Sequence, residues 1–113
     1  FRFAESCDID LCLFHIATVL PKTDLYYLAK EQNVLPKDFS FYSEQINFGC
    51  CKGNITTDEF EPEELMILRA YEWDRINFST PEKRKRACRV MECTEEELKE
   101  FRKQTRRKLG IHF

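Results

Sequence analysis

"FHIATVLPKTDLYYLAK", residues 14 to 30, holds three signals in one short stretch. Phe14, His15, Ile16, Thr18 and Val19 favour extended backbone, Leu20-Pro21 breaks it, and a helix pattern follows. The apolar stretch from Leu11 to Val19 reads as a buried strand, although a helix of this length has similar periodicity. Thr23 or Asp24 can cap a helix running to Lys30 or Gln32, with Leu25 and Leu28 facing inward. A single strand feeding a helix needs a sheet to join. The rest of the sequence has to be asked where that sheet is.

Upstream, Phe1 to Ser6 reads as the last turn of a helix, and Cys7 to Asp10 as a turn. Downstream of Pro36, residues 37–60 read as a long connection holding Gly49, Cys50, Cys51, Gly53 and Asn54. Glu61-Pro62-Glu63-Glu64 then opens a helix, with proline in its first turn and acids beside its N-terminus. In "LMILRAYEWDRINF", Leu65 and Ile76 share one side, Ile67 and Tyr71 another, and Met66 and Trp73 a third. Such a helix calls for burial between layers, and its Arg69, Glu72, Asp74 and Arg75 then need partners. Pairs 69/72 and 72/75 suit the helix spacing, and a catalytic role for Glu72 and Asp74 is the other reading. Ser79-Thr80-Pro81-Glu82 has capping-box spacing and starts a helix to about Met91. Thr94 to Glu97 repeats the cap, for a helix ending near Gly110 with a narrow stripe of Leu98, Phe101 and Leu109. The fold class expected is mainly α with one or two β-strands.

With 113 residues, 42% hydrophobic and 34% charged, the chain suits one globular domain rather than a disordered segment. No apolar run approaches the roughly 20 residues of a membrane-spanning helix. The start at Phe1-Arg2-Phe3, with neither methionine nor a signal-peptide core, is expected to come from cleavage or excision. Residues 1–81 carry 7 Lys or Arg against 14 Asp or Glu, whereas residues 82–113 carry 11 against 6. A basic end can meet nucleic acid, but Glu95 to Glu97 opening a helix that Arg106, Arg107 and Lys108 close suits the helix dipole alone. No aromatic residues interleave the basic stretch as stacking sites would, so nucleic acid is not the expected partner.

Six cysteines (Cys7, Cys12, Cys50, Cys51, Cys88 and Cys93) leave three states open: ordinary thiols, three disulfides, or a metal or cluster. A Lys- and Glu-rich, helix-prone chain of this length fits reduced thiols and a cytoplasmic location. The spacings include no C-x2-C or H-x3-H of a structural zinc site. A secreted, disulfide-stapled protein and a free-standing helical interaction module that self-associates are the alternative classes.

The stretch "CDIDLCLFHIATVLPKTDLYYLAKEQNVL" resembles the late-barrel segment of radical S-adenosylmethionine enzymes, especially those with an N-terminal cobalamin-binding domain. There a strand leads through a "P-x-P-G-T-x-L-Y" turn into the next helix. "FEPEELMILRAYEWDRINFSTPEKRKRACRVMECTEEELKEFRKQTRRKLG" resembles the helical C-terminal extension of the same proteins. The resemblance implies a fragment of a partial (β/α) barrel in residues 1–36, the long connecting loop 37–60, and a helical extension in 61–113. Residues 11 to 19 would be an inner strand whose neighbours lie upstream, with the turn at the barrel rim, where such enzymes assemble their sites. His15, Thr18 and Lys22 are then the residues expected to face substrate or cofactor, His15 having also the plainer role of a hydrogen-bonded structural histidine. Val19 stands where the family has its first proline, and Lys22 where it has glycine.

The intact enzyme would use S-adenosylmethionine, a 4Fe-4S cluster and, in the cobalamin-binding type, cobalamin. The C-x3-C-x2-C triplet that holds the cluster does not occur in this sequence, so the segment is not expected to be catalytic alone. Cys50 and Cys51 are the candidates for an auxiliary cluster. Its expected partners are the remainder of its own barrel and the N-terminal domain, with no membrane.

Overall fold

The computed structural model describes residues 1–40 and 53–110. Among them are five helices: α1 (Arg2–Ser6), α2 (Asp24–Glu31), α3 (Pro62–Phe78), α4 (Pro81–Met91) and α5 (Glu95–Lys108). The protein is mainly α. The one or two strands expected from residues 11 to 19 do not form among the described residues. The chain divides into two compact units, residues 1–14 with 67–113 and residues 15–66, the division falling within α3.

In the first unit the core is Trp73, Phe78, Ala87 and Leu98, with Leu11, Phe14, Cys88, Met91 and Cys93 packed against it. The Trp73 ring stands edge-on to Phe78 at 4.9 Å and to Phe101 at 6.0 Å, the favoured arrangement of two π-faces. Arg102 lies over the Phe78 ring at 5.2 Å. Only the C-terminal part of α3 is buried as its all-round apolar pattern demands. Ala70, Trp73, Ile76, Asn77 and Phe78 are enclosed, whereas Ile67, Leu68 and Tyr71 (53% exposed) are not.

The lone polar group in that buried run organises what faces it. Asn77 is only 4% exposed. Its Oδ1 accepts the Cys12 N–H at 2.7 Å, while its Nδ2 donates to the Cys12 carbonyl at 2.8 Å and to the Trp73 carbonyl at 2.9 Å. One side-chain amide thus gives Cys12 the donor and acceptor that a neighbouring strand would give. Arg69 Nε extends the arrangement by donating to the Phe14 carbonyl at 2.6 Å. These bonds explain how residues 11 to 14 stay extended without a sheet.

In the second unit Val19 and Ala29 are buried. Val19 N–H donates to the Asn54 Oδ1 at 3.2 Å, again a side-chain amide on extended backbone. Gly53 passes so close to this segment that a Cβ there would lie 2.9 Å from Ile16 Cγ2, so the position has room for glycine alone without displacement. Thr23 caps α2 by accepting the Tyr26 N–H. The helix closes through Asn33 at φ +56°, with Val34 N–H to Ala29 O and Asn33 N–H to Lys30 O, the paired bonds of a Schellman ending. Ala29 rather than Leu28 is the buried residue of α2, so the expected inward face is rotated by one position.

The caps of the last two helices divide in the same way. Thr94 and Glu97 form the full capping box, and the bonds to Thr94 hold the Glu97 carboxyl below its ordinary pKa. For α4 the cap is Thr80, accepting the Lys83 N–H, not the Ser79 of the expected box. Pro81 then occupies the first helical position, where its missing N–H is harmless.

The Asn77 amide yields a direct prediction. Asn77→Leu keeps the side chain's branching but strands the Cys12 N–H and C=O, so unfolding free energy should fall by about 3 kcal/mol. Urea denaturation of the two chains measures it; a change within about 0.5 kcal/mol would mean that the amide does not hold the segment.

Candidate functional site

The turn that links the extended segment to α2 is built by four residues. Leu20 carbonyl accepts the Thr23 N–H at 3.4 Å and the Thr23 hydroxyl at 2.8 Å, with Pro21 and Lys22 between them. Lys22 has φ +60°, a left-handed conformation at the third turn position, where glycine or asparagine is the usual residue. Proline before it fits the same turn. The Lys22 side chain is exposed.

Strand alternation puts His15, Ala17 and Val19 on one face and Phe14, Ile16 and Thr18 on the other. Exposure follows it through Thr18 and departs at Val19, which is buried. Leu13, His15 and Ala17 are exposed, and Phe14, Ile16 and Thr18 are half-buried. His15 and Thr18 consequently lie on opposite faces, and the Thr18 hydroxyl donates to the Ile16 carbonyl at 3.4 Å. Of the three expected site residues, His15 and Lys22 are open to solvent and Thr18 is turned into its own backbone. The described contacts do not draw the three side chains into one constellation. Cys50 and Cys51 lie outside the described residues.

Arg69, Glu72, Asp74 and Arg75 of α3 each have a partner within this unit. Glu72 accepts from Arg75 at 2.8 Å, the expected 72/75 pair. Arg75 also binds Glu5 at 2.6 Å; this bond, with that to Glu72, raises the arginine pKa and holds the Glu5 carboxyl below its ordinary value. Arg69 turns to the Phe14 carbonyl, not to Glu72. Asp74 takes a bidentate fork from Arg102, at 2.7 and 2.6 Å, with Arg106 at 3.5 Å. That fork raises the Arg102 pKa. Both carboxylates are thus held in ion pairs, Glu72 by Arg75 and Asp74 by Arg102 and Arg106.

Asp74, Arg102 and Arg106 border a cavity of about 220 Å³ whose walls include Trp73, Tyr71 and Leu109. The Trp73 indole nitrogen is buried with no hydrogen-bond partner. Among the described residues no group of three His, Cys, Asp or Glu side chains is placed to hold a metal ion. No helix among them is long and apolar enough to cross a membrane.

Sequence reasoning missed Asn54, Asn77 and the Asp74–Arg102 fork. A lone amide in "DRINF" was the available signal for Asn77; nothing local could signal a partner 28 residues away.

The left-handed lysine gives the second prediction. Lys22→Gly should raise stability by about 0.5–1 kcal/mol, because glycine takes positive φ without the Cβ clash. Lys22→Val should lower it by more than about 1 kcal/mol, since a β-branched residue resists that conformation most. Thermal unfolding of the three chains checks the order; Val equal to Gly would contradict the turn.

Comparison with models of known protein families, with curated protein sequences and with solved structures finds no match to this chain.

Proposed function

We propose that this chain is the C-terminal portion of a radical S-adenosylmethionine enzyme, completing and capping a partial (β/α) barrel, and that it is not catalytic by itself. The observation that carries the reading is the unfinished state of residues 13–18. They alternate like a strand, yet among the described residues none of their amides donates to a backbone carbonyl. Leu13, 63% exposed, stands uncovered in the same stretch. Extended backbone with open amide donors is a template for further pairing, and upstream barrel strands would supply it. The positive φ of Lys22, at the position of the family's turn glycine, supports the same alignment.

In this reading S-adenosylmethionine, the 4Fe-4S cluster and, in the cobalamin-binding type, cobalamin belong to the upstream portion of a cytoplasmic enzyme. The segment's partners are its own barrel and N-terminal domain. His15 and Lys22, solvent-exposed here, are the side chains available to a substrate or cofactor at the rim. The exposed Ile67, Leu68 and Tyr71 of α3 favour a second reading, a helical interaction module that self-associates.

The reading frame upstream of Phe1 in the encoding transcript tests the first. An in-frame extension of a few hundred residues containing C-x3-C-x2-C is the expected result. A start codon or signal peptide directly before Phe1 would overturn it. The interaction module would then stand if the chain self-associates in sedimentation.

A further inference from the structure

Cys88 and Cys93 straddle the end of α4, and the backbone there folds one toward the other. The chain leaves the helix through Glu92 at φ +51°, and the Cys93 N–H returns to the Cys88 carbonyl at 3.1 Å. That six-to-one bond brings residue 93 back over residue 88. Both side chains are half-buried free thiols packed on the same core cluster. Both also line one open surface groove, together with Lys85, Arg86 and Arg89 and with Glu82 and Glu95. The other C-x4-C pair is arranged differently: Cys7, just past α1, donates its Sγ–H to the Phe3 carbonyl at 3.3 Å, and the Cys12 backbone is clamped by Asn77.

We propose that Cys88 and Cys93 are a redox-active dithiol, closed to an intramolecular disulfide by small disulfides of the glutathione class. The Cys93 thiolate attacks one sulfur of the small disulfide, forming a mixed disulfide and releasing the first small thiol. Cys88 then loses its proton, attacks the Cys93 sulfur, and releases the second small thiol. Two protein thiols are oxidised by two electrons, and one small disulfide is reduced to two thiols. The order follows from the surroundings. Burial first, then the Cys93 contact and the charges of Glu95 and Glu97, push the Cys88 thiol up, so it is the poorer first nucleophile at neutral pH. It is already in place to resolve the adduct.

The test uses the 113-residue chain incubated with oxidised glutathione, followed by thiol blocking in denaturant and tryptic digestion without reductant. Cleavage after Arg89 separates the two cysteines, so the closed form appears as residues 87–89 linked to residues 90–99. That linked pair is the expected product. In Cys88→Ser the glutathione adduct should persist on Cys93, with the native chain carrying about a tenth of it or less. Recovery of the two peptides unlinked, or linked instead to Cys7 or Cys12, would overturn the proposal. So would an adduct on Cys93 that is as abundant in the native chain as in Cys88→Ser.

Discussion

The side-chain amide of Asn77 is the interaction on which the first unit depends. A buried amide has two donors and an acceptor to satisfy, and the Cys12 backbone and the Trp73 carbonyl satisfy all three. Because α3 is fixed by Trp73 and Phe78 in the core, Asn77 is a rigid post rather than a flexible arm. An extended segment tied to such a post needs no neighbouring strand at that point. Within the second unit Asn54 does the same for Val19, though with one bond instead of two to the clamped residue. Between those two amides the N–H groups of residues 13–18 find no backbone acceptor among the described residues, and the proposed barrel role grows from that gap.

Electrostatics in this chain serve mainly to stop and orient helices. The acids of α5 cluster in its first turn and the bases in its last, matching the dipole, so the basic end of the chain has a structural explanation. Where charges face the interior of a unit they come as networks. Asp74 gathers Arg102 and Arg106, and Arg75 bridges Glu5 and Glu72. The half-exposed members of these networks contribute little to stability individually; their consequence is geometric, fixing which face of α5 meets α3 in this unit.

Local signals were legible in the sequence and distant ones were not. Thr23, Pro62 and Thr94 mark helix starts because a cap needs only its next three residues, and all three helices begin there. Ser79 and Thr80 are both competent caps one residue apart, and the position of Pro81 at the first helical residue decides for Thr80. Alternation from Phe14 to Thr18 was readable because it is a property of extended backbone, and it departs at the buried Val19; a strand ladder was not readable, because it needs a second segment. Leu28 was expected inside since it shares a spacing with Leu25, yet the smaller Ala29 is the residue enclosed. His15, Thr18 and Lys22 stand near one turn in the sequence, and period-two geometry places the first two on opposite faces.

The central claim is that side-chain amides, not a sheet, hold the ends of the extended segment in this chain. Residue-resolved amide hydrogen exchange tests it most directly. The Cys12 and Val19 amides should exchange slowly, while those of residues 13–18 exchange at near-solvent rates. Alternating protection through Leu13, His15 and Ala17, as in a paired strand, would contradict it, as would fast exchange at Cys12.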